Sequence, residues 1–276
     1  MIIFFLKALV LCAGMLAVLK LYIVYYERRL LFFPVRQINQ TPAEVGLTYE
    51  WRRFLTYDGY QLTGWWIPHP HPIATMQFFH GNAGNIGDRI QFLTYLYEAG
   101  FSVFVFDYRG YGESEGKPSE EGILMDGDAA YEELTTRIGV DPGEIVFFGR
   151  SLGGVIAAHT ARGRPIRGLI LEGTFSSARE MAEILFAPIR IPLLFLHVKL
   201  DTVSYLARRR CPLLAIHGTQ DEVIPYRMGQ DLFEKASEPK TFFSVEGGGH
   251  NDCHMVGTAT YLERIRTFAS DSRGIN

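Results

Sequence analysis

The sequence predicts a doubly wound α/β domain: a mostly parallel sheet with helices on both faces, opened by an antiparallel hairpin and preceded by an apolar helix. Three observations carry this. Short apolar runs, "TMQFF", "FSVFVFDY", "EIVFFG", "RGLILEG", "PLLAIHG" and "TFFSVEG", recur between longer amphipathic or mixed segments. Several are apolar at consecutive positions instead of alternating, as expected of parallel strands covered on both sides. The hairpin shows in "YEWRRFLTYDGYQLTGWWIP", where two β-rich runs flank Asp58-Gly59, a pair that favours the positive φ angles of a tight turn. With 276 residues, 47% hydrophobic and 21% charged, the chain is long enough for one large core plus an appendage. A net charge of -3 lacks the basic excess that draws proteins onto nucleic-acid phosphates, so nucleic acid is excluded as a partner.

The appendage is residues 1–33. Its uninterrupted apolar stretch, Ala8 to Leu19, spans roughly 18 Å as a helix, short of a hydrocarbon core of about 30 Å. Lys7 and Lys20 can snorkel, however, and Ile2 to Tyr26 would extend roughly 37 Å. Tyr22, Tyr25 and Tyr26, followed by Arg28 and Arg29, resemble an interfacial border. A single-pass membrane anchor is the expectation, with the membrane as partner. A cleaved signal peptide competes, although the basic n-region is weak and no A-x-A site precedes a soluble start; a buried core helix is the third reading. Arg28, Arg29, Arg36, Arg52 and Arg53 outnumber Lys7, which leans the body toward the cytoplasm, while short N-terminal anchors often enter the other way. Residues 34–48 read as a connector, 49–270 as the α/β domain and 271–276 as a tail.

Cys12, Cys211 and Cys253 are odd in number and irregularly spaced, so they form neither a disulfide framework nor a zinc site. Cys12 and Cys211 read as small buried hydrophobes; Cys253 stands close to His250, where its oxidation could disturb that histidine.

In open α/β sheets, ligands gather at the carboxyl ends of the strands. The run "EIVFF" ends there in Gly149-Arg150-Ser151-Leu152-Gly153-Gly154, and "VIAAHTA" continues as a helix. The frame G-x-S-x-G between strand and helix is the context in which a sharp turn pushes a serine hydroxyl into a site. A plain N-cap serine is the alternative. "TMQFF" ends in His80-Gly81-Asn82-Ala83-Gly84-Asn85, a turn able to aim the Asn82 N–H, together with that of Leu152, at a developing oxyanion; it could also simply reverse the chain. A serine hydroxyl needs a base, and the base a carboxylate. "PLLAI" leads into His217-Gly218-Thr219-Gln220-Asp221 and "TFFSV" into Glu246-Gly247-Gly248-Gly249-His250, so Ser151, Asp221 and His250 follow in the order nucleophile, acid, base. His217 and His254 are alternative bases and Glu172 an alternative acid.

Taken together, "FFHGNAGNIGDRI", "VFDYRGYGESEGKPSEEG", "FFGRSLGG", "HGTQDEVIP" and "GGGHND" resemble the α/β-hydrolase superfamily over roughly Tyr49 to Ser270, and more narrowly its small membrane-anchored serine hydrolases of the ABHD type, bud-emergence subfamily. The resemblance implies an eight-stranded sheet, Ser151 as nucleophile, Asp221 as acid, His250 as base, and oxyanion N–H groups from Asn82 and Leu152. It also implies an N-terminal anchor and carboxylesterase- or thioesterase-like activity, in some members removal of fatty acyl groups from proteins. A serine at the elbow disfavours aspartate-nucleophile relatives such as epoxide hydrolases.

Two-step acyl transfer needs neither metal nor organic cofactor. Between Gly173 and Pro212, "MAEILFAPIRIPLLFLHV" is too apolar for an exposed loop, and Pro188 and Pro192 would break it into short helices. A cap over about 174–211 with an acyl pocket is expected, a segment packed on the sheet being the alternative. A serine peptidase or amidase on the same fold and a non-catalytic membrane scaffold are the competing functions. Nothing in the sequence reports oligomeric state.

Overall fold

The computed structural model describes residues 2–185 and 196–271. Eight strands form one sheet: β1 (Glu50–Leu55), β2 (Gln61–Ile67), β3 (Thr75–Phe79), β4 (Ser102–Asp107), β5 (Ile145–Arg150), β6 (Gly168–Glu172), β7 (Leu213–Gly218) and β8 (Lys240–Val245). Their order is β8-β7-β6-β5-β3-β4-β2-β1. Only β2 runs against its neighbours. The inner strands β3 to β7 are buried at every residue, which is why their runs are apolar on both faces, whereas the edge strands β1 and β8 are partly exposed. The hairpin is present but looser than the Asp58-Gly59 pair implies. Residues 56–60 connect Leu55 to its partner Gln61, and only Gly59 takes a positive φ, +86°. Asp58 is held instead by the Thr56 hydroxyl and by Arg109.

Helices cover both faces. On one, α3 (Glu120–Glu132), α4 (Leu152–Thr160) and α7 (Tyr226–Lys235) bury Ile123, Ala130, Val155, Ile156 and Leu232 against Phe79, Phe147 and Leu169. On the other, α2 (Ile90–Glu98) and α9 (Thr258–Asp271) bury Phe92, Leu93, Tyr261 and Ile265 against Phe78, Val146, Phe148 and Ile170. α3 starts where its sequence says it should: Ser119 Oγ accepts the Gly122 N–H at 3.2 Å, and Glu120 and Glu121 lie at the positive end of the dipole.

The chain direction reverses at β3, with β4 on one side and β5 on the other. That switch point opens a crevice beyond the carboxyl ends of β3 and β5, and the pairing of Phe79 with Gly149 sets His80-Gly81 beside Arg150-Ser151.

Helix α1 (Ile2–Leu31) precedes the sheet. Its segment Phe4–Ile23, of mean hydropathy 2.1 and with none of it buried, is long and apolar enough to cross a membrane. The chain after it is not a loose tether. Phe32 is buried in the core, Phe33–Pro34 pair in parallel with Ala83–Gly84, and Pro42–Val45 make a short helical turn. Between β6 and β7 lie α5 (Ala178–Leu185) and α6 (Thr202–Leu206), the latter packed on α4. Most of the apolar part of the expected cap, with Pro188 and Pro192, lies outside the described residues, as do 272–276 of the tail.

Candidate active site

Ser151 joins β5 to α4 with φ 54° and ψ -122°, a left-handed region that a residue with a side chain occupies at a cost of about 1–3 kcal/mol. Its neighbours hold it there. The Ser151 N–H donates to Glu172 O at 2.9 Å, and the Gly154 N–H to Ser151 O at 3.0 Å. The glycines of G-x-S-x-G are required by contact. A Cβ on Gly149 would stand 2.5 Å from Gly154 Cα, and one on Gly153 2.0 Å from Phe79 O, so α4 can fold back over β5 and against the end of β3 only without them. Leu152 is the first residue of α4, and the first N–H of a helix has no acceptor within it.

Asp221 and His250 sit on the loops after β7 and β8. The His250 Nδ1–H donates to Asp221 Oδ2 at 2.8 Å, with both side chains buried. The N–H groups of Val223 and Ile224 donate to Asp221 Oδ1 at 2.9 and 2.7 Å, fixing the carboxylate. Burial pushes the Asp221 carboxyl up, but hydrogen bonds from His217, His250 and the Ile224 backbone, with the attraction of His250, outweigh it and hold the group well below the usual carboxylate range. The two loops brace each other: the Gln220 N–H donates to Gly248 O at 2.8 Å and the His250 N–H to Glu222 Oε2 at 3.2 Å. A Cβ on Gly173 would lie 3.3 Å from both Asp221 Oδ2 and His250 Nδ1. Gly173 follows the residue whose carbonyl receives the Ser151 N–H, so the Asp221–His250 pair stands at the strand end next to the Ser151 backbone; no hydrogen bond joins the Ser151 hydroxyl to His250 among the described residues.

The turn after β3 faces the same place: a Cβ on Gly81 would stand 3.7 Å from Ser151 Cβ. The His80 Nδ1–H donates to Gly81 O at 2.8 Å. That carbonyl belongs to the trans peptide whose N–H is that of Asn82, so the bond turns the Asn82 N–H the opposite way. Among the described residues this N–H has no acceptor. His80 is fully buried. Desolvation first, then the positive charge of Arg89, pushes its imidazole down to about 3, against the pull of the Gly81 bond. It therefore works as a neutral donor. Tyr108 donates its hydroxyl to His80 O at 3.0 Å, and Tyr111 to Asn82 O at 2.7 Å.

Ser151, Asp221, His250, Asn82 and Leu152 stand around one crevice, and the alternative acid and bases are engaged in other contacts. Glu172 is committed elsewhere, its carboxylate paired with Arg150 and receiving the Tyr261 hydroxyl. His217 packs under Gly229, with Nε2 2.9 Å from Ile224 O and 3.3 Å from Asp221 Oδ2, so it supports the carboxylate. His254 lies in α8 (Cys253–Val256) between the rings of Phe92 and Tyr95. Cys253 is 1% exposed, and burial pushes its thiol far up, so the protonated, unreactive form persists. Sequence does not show the contacts that His80, Tyr108 and Tyr111 make at this turn. The two tyrosines stand in "DYRGYG", where nothing local signals that their hydroxyls cross to another strand end.

Comparison with known proteins bears on the family and the fold. The family described as "Serine aminopeptidase, S33" matches residues 70–200. The chain is 33% identical to the "Alpha/beta hydrolase domain-containing protein WAV2" of Arabidopsis thaliana, over 91% of each chain. It is 36% identical to the "Alpha/beta hydrolase domain-containing protein 17B" of Xenopus tropicalis, over 73% of this chain and 68% of that one. Among solved structures, the Pyrococcus furiosus esterase Pf2001 superposes with a TM-score of 0.73 at 20% identity, covering 88% of this chain and 100% of its own. On strand order, switch-point crevice and these relatives, the chain belongs to the α/β-hydrolase superfamily.

Proposed function

We propose that the protein is a serine hydrolase that cleaves carboxylic esters or thioesters through an acyl-enzyme on Ser151. The observation that carries this is the hydrogen-bonded Asp221–His250 pair beside the strained serine elbow. His250 takes the hydroxyl proton as Ser151 Oγ attacks the carbonyl carbon. The Asn82 and Leu152 N–H groups receive the negative charge that moves onto the carbonyl oxygen, each worth about 2.7–4 kcal/mol in the transition state. Asp221 stabilises the imidazolium and fixes its tautomer. His250 then protonates the leaving alcohol or thiol, and in the second half activates the water that releases the acid. None of these steps calls on a metal or organic cofactor.

The substrates we infer are acylated molecules at a membrane. Two features support this: the apolar α1, read as a single-pass anchor with the body in the cytoplasm, and the apolar composition of the insertion between β6 and β7, read as a cap. Turnover should rise with acyl length; equal activity from two to sixteen carbons contradicts an acyl-sized pocket. A second reading, amide or peptide cleavage, is favoured by the family description matching residues 70–200. Matched ester, thioester and amide substrates separate the two. Ser151→Ala should leave the fold intact and abolish turnover on all three; retained hydrolysis sinks the assignment.

A further inference from the structure

The residues immediately after α1 do more than join it to the domain. The Phe33 N–H donates to Asn82 O at 2.9 Å, and the Val35 N–H to Gly84 O at 3.1 Å, so Phe33–Val35 form a short parallel strand along the turn that carries the Asn82 N–H. The turn binds back. Asn85 is 1% exposed, and its Nδ2 donates to Val35 O at 3.1 Å and Gln37 O at 2.7 Å. Without residues 35–37 that buried amide would lose both acceptors, a cost that marks the contact as built in. The segment is pinned from its other side as well: the Gly112 N–H donates to Val35 O at 3.0 Å, and Arg36 reaches Ser114 O at 2.5 Å and Gly116 O at 3.2 Å. Only Phe32, itself buried, separates α1 from the first of these bonds.

We propose that Phe33–Gln37 is a positioning strap for the oxyanion turn. Asn82 lies between two clamped peptides. The one before it is turned by His80, and the one after it is held through Asn82 O by the Phe33 N–H and the Tyr111 hydroxyl. The strap restricts rotation about Asn82, so its N–H stays aimed where charge develops in the transition state, and the seating of α1 is coupled to that aim. This rests on the acyl-transfer reading above.

Because the Phe33 contact is a backbone N–H, proline removes it and alanine does not. The full-length protein in detergent micelles is compared as Phe33→Pro and Phe33→Ala on one ester substrate, with Tyr111→Phe, which deletes the second donor to the same oxygen. The expected result is a kcat about fivefold lower for Phe33→Pro than for Phe33→Ala at matched KM. The inhibition constant of a trifluoromethyl ketone, which forms a tetrahedral adduct, should rise by the same factor. Tyr111→Phe should show the same pattern with its thermal midpoint near wild type, so the proposal stays open to refutation even where Phe33→Pro fails to fold. Equal kcat for the proline and alanine variants, or Tyr111→Phe losses confined to KM, overturn the strap while leaving the acyl-transfer reading standing. No turnover by the wild type on any ester or thioester overturns that reading, and the strap with it.

Discussion

Two buried groups at the site sustain opposite electrostatic demands: Asp221 must stay charged and His80 must stay neutral. Hydrogen bonds keep Asp221 ionised, and burial keeps His80 uncharged. The consequence for stability follows from linkage. Between its ordinary value of 6.5 and its folded value of about 3, His80 binds a proton in the unfolded chain and not in the folded one. Its contribution is therefore complete above this window and is lost as pH falls through it. The lowered Asp221 acts in the same direction, but only below its ordinary value of 3.8. His80→Asn, which keeps a donor where Nδ1 stood, should flatten the decline in urea midpoint between pH 6.5 and 4 relative to wild type; parallel declines would show that His80 does not titrate this way. Arg150 is a second residue-scale test. It is 8% exposed and depends on Glu172 for its counter-charge, so Glu172→Gln strands a buried guanidinium and should cost about 3–5 kcal/mol in denaturant unfolding.

At the scale of elements, the close approach of α4 to β3 and β5 makes the elbow. Gly153→Ala places a methyl 2.0 Å from Phe79 O, and backbone cannot yield as a flexible side chain would. The variant should lose at least about 1–3 kcal/mol of stability and react more slowly with active-site reagents; an unchanged denaturation midpoint contradicts the packing account. This part of the fold was legible in the sequence because both causes are local. Inner strands buried on both faces leave consecutive apolar residues, and an elbow leaves its glycines at fixed spacing. Asp221 and His250 were legible by order, each standing just beyond a strand. The hairpin was less so, because Asp58 is drawn into an ion pair with Arg109 from a loop 51 residues away, and the ladder closes over a longer turn than Asp-Gly favours. Least legible was the stretch after α1. It has no apolar period, and its order comes from backbone groups pairing with a distant turn, which side-chain composition does not record.

Across the whole molecule, α1 ends one residue short of a strand that pairs with the turn after β3, so the exposed apolar helix and the candidate catalytic crevice are joined without slack. As an anchor, α1 would set that crevice close to the membrane surface, where acyl chains are presented. A chain lacking residues 2–30 keeps Phe32 and the strap; it should leave the membrane fraction on flotation, and its continued flotation would contradict the anchor. Acyl-enzyme formation on one serine of this crevice can be checked by treating the full-length protein with a fluorophosphonate and mapping the adduct by mass spectrometry. One adduct per chain is expected, on Ser151, forming at least about a hundredfold more slowly in Asp221→Asn. No adduct, or an adduct on another residue, would contradict it.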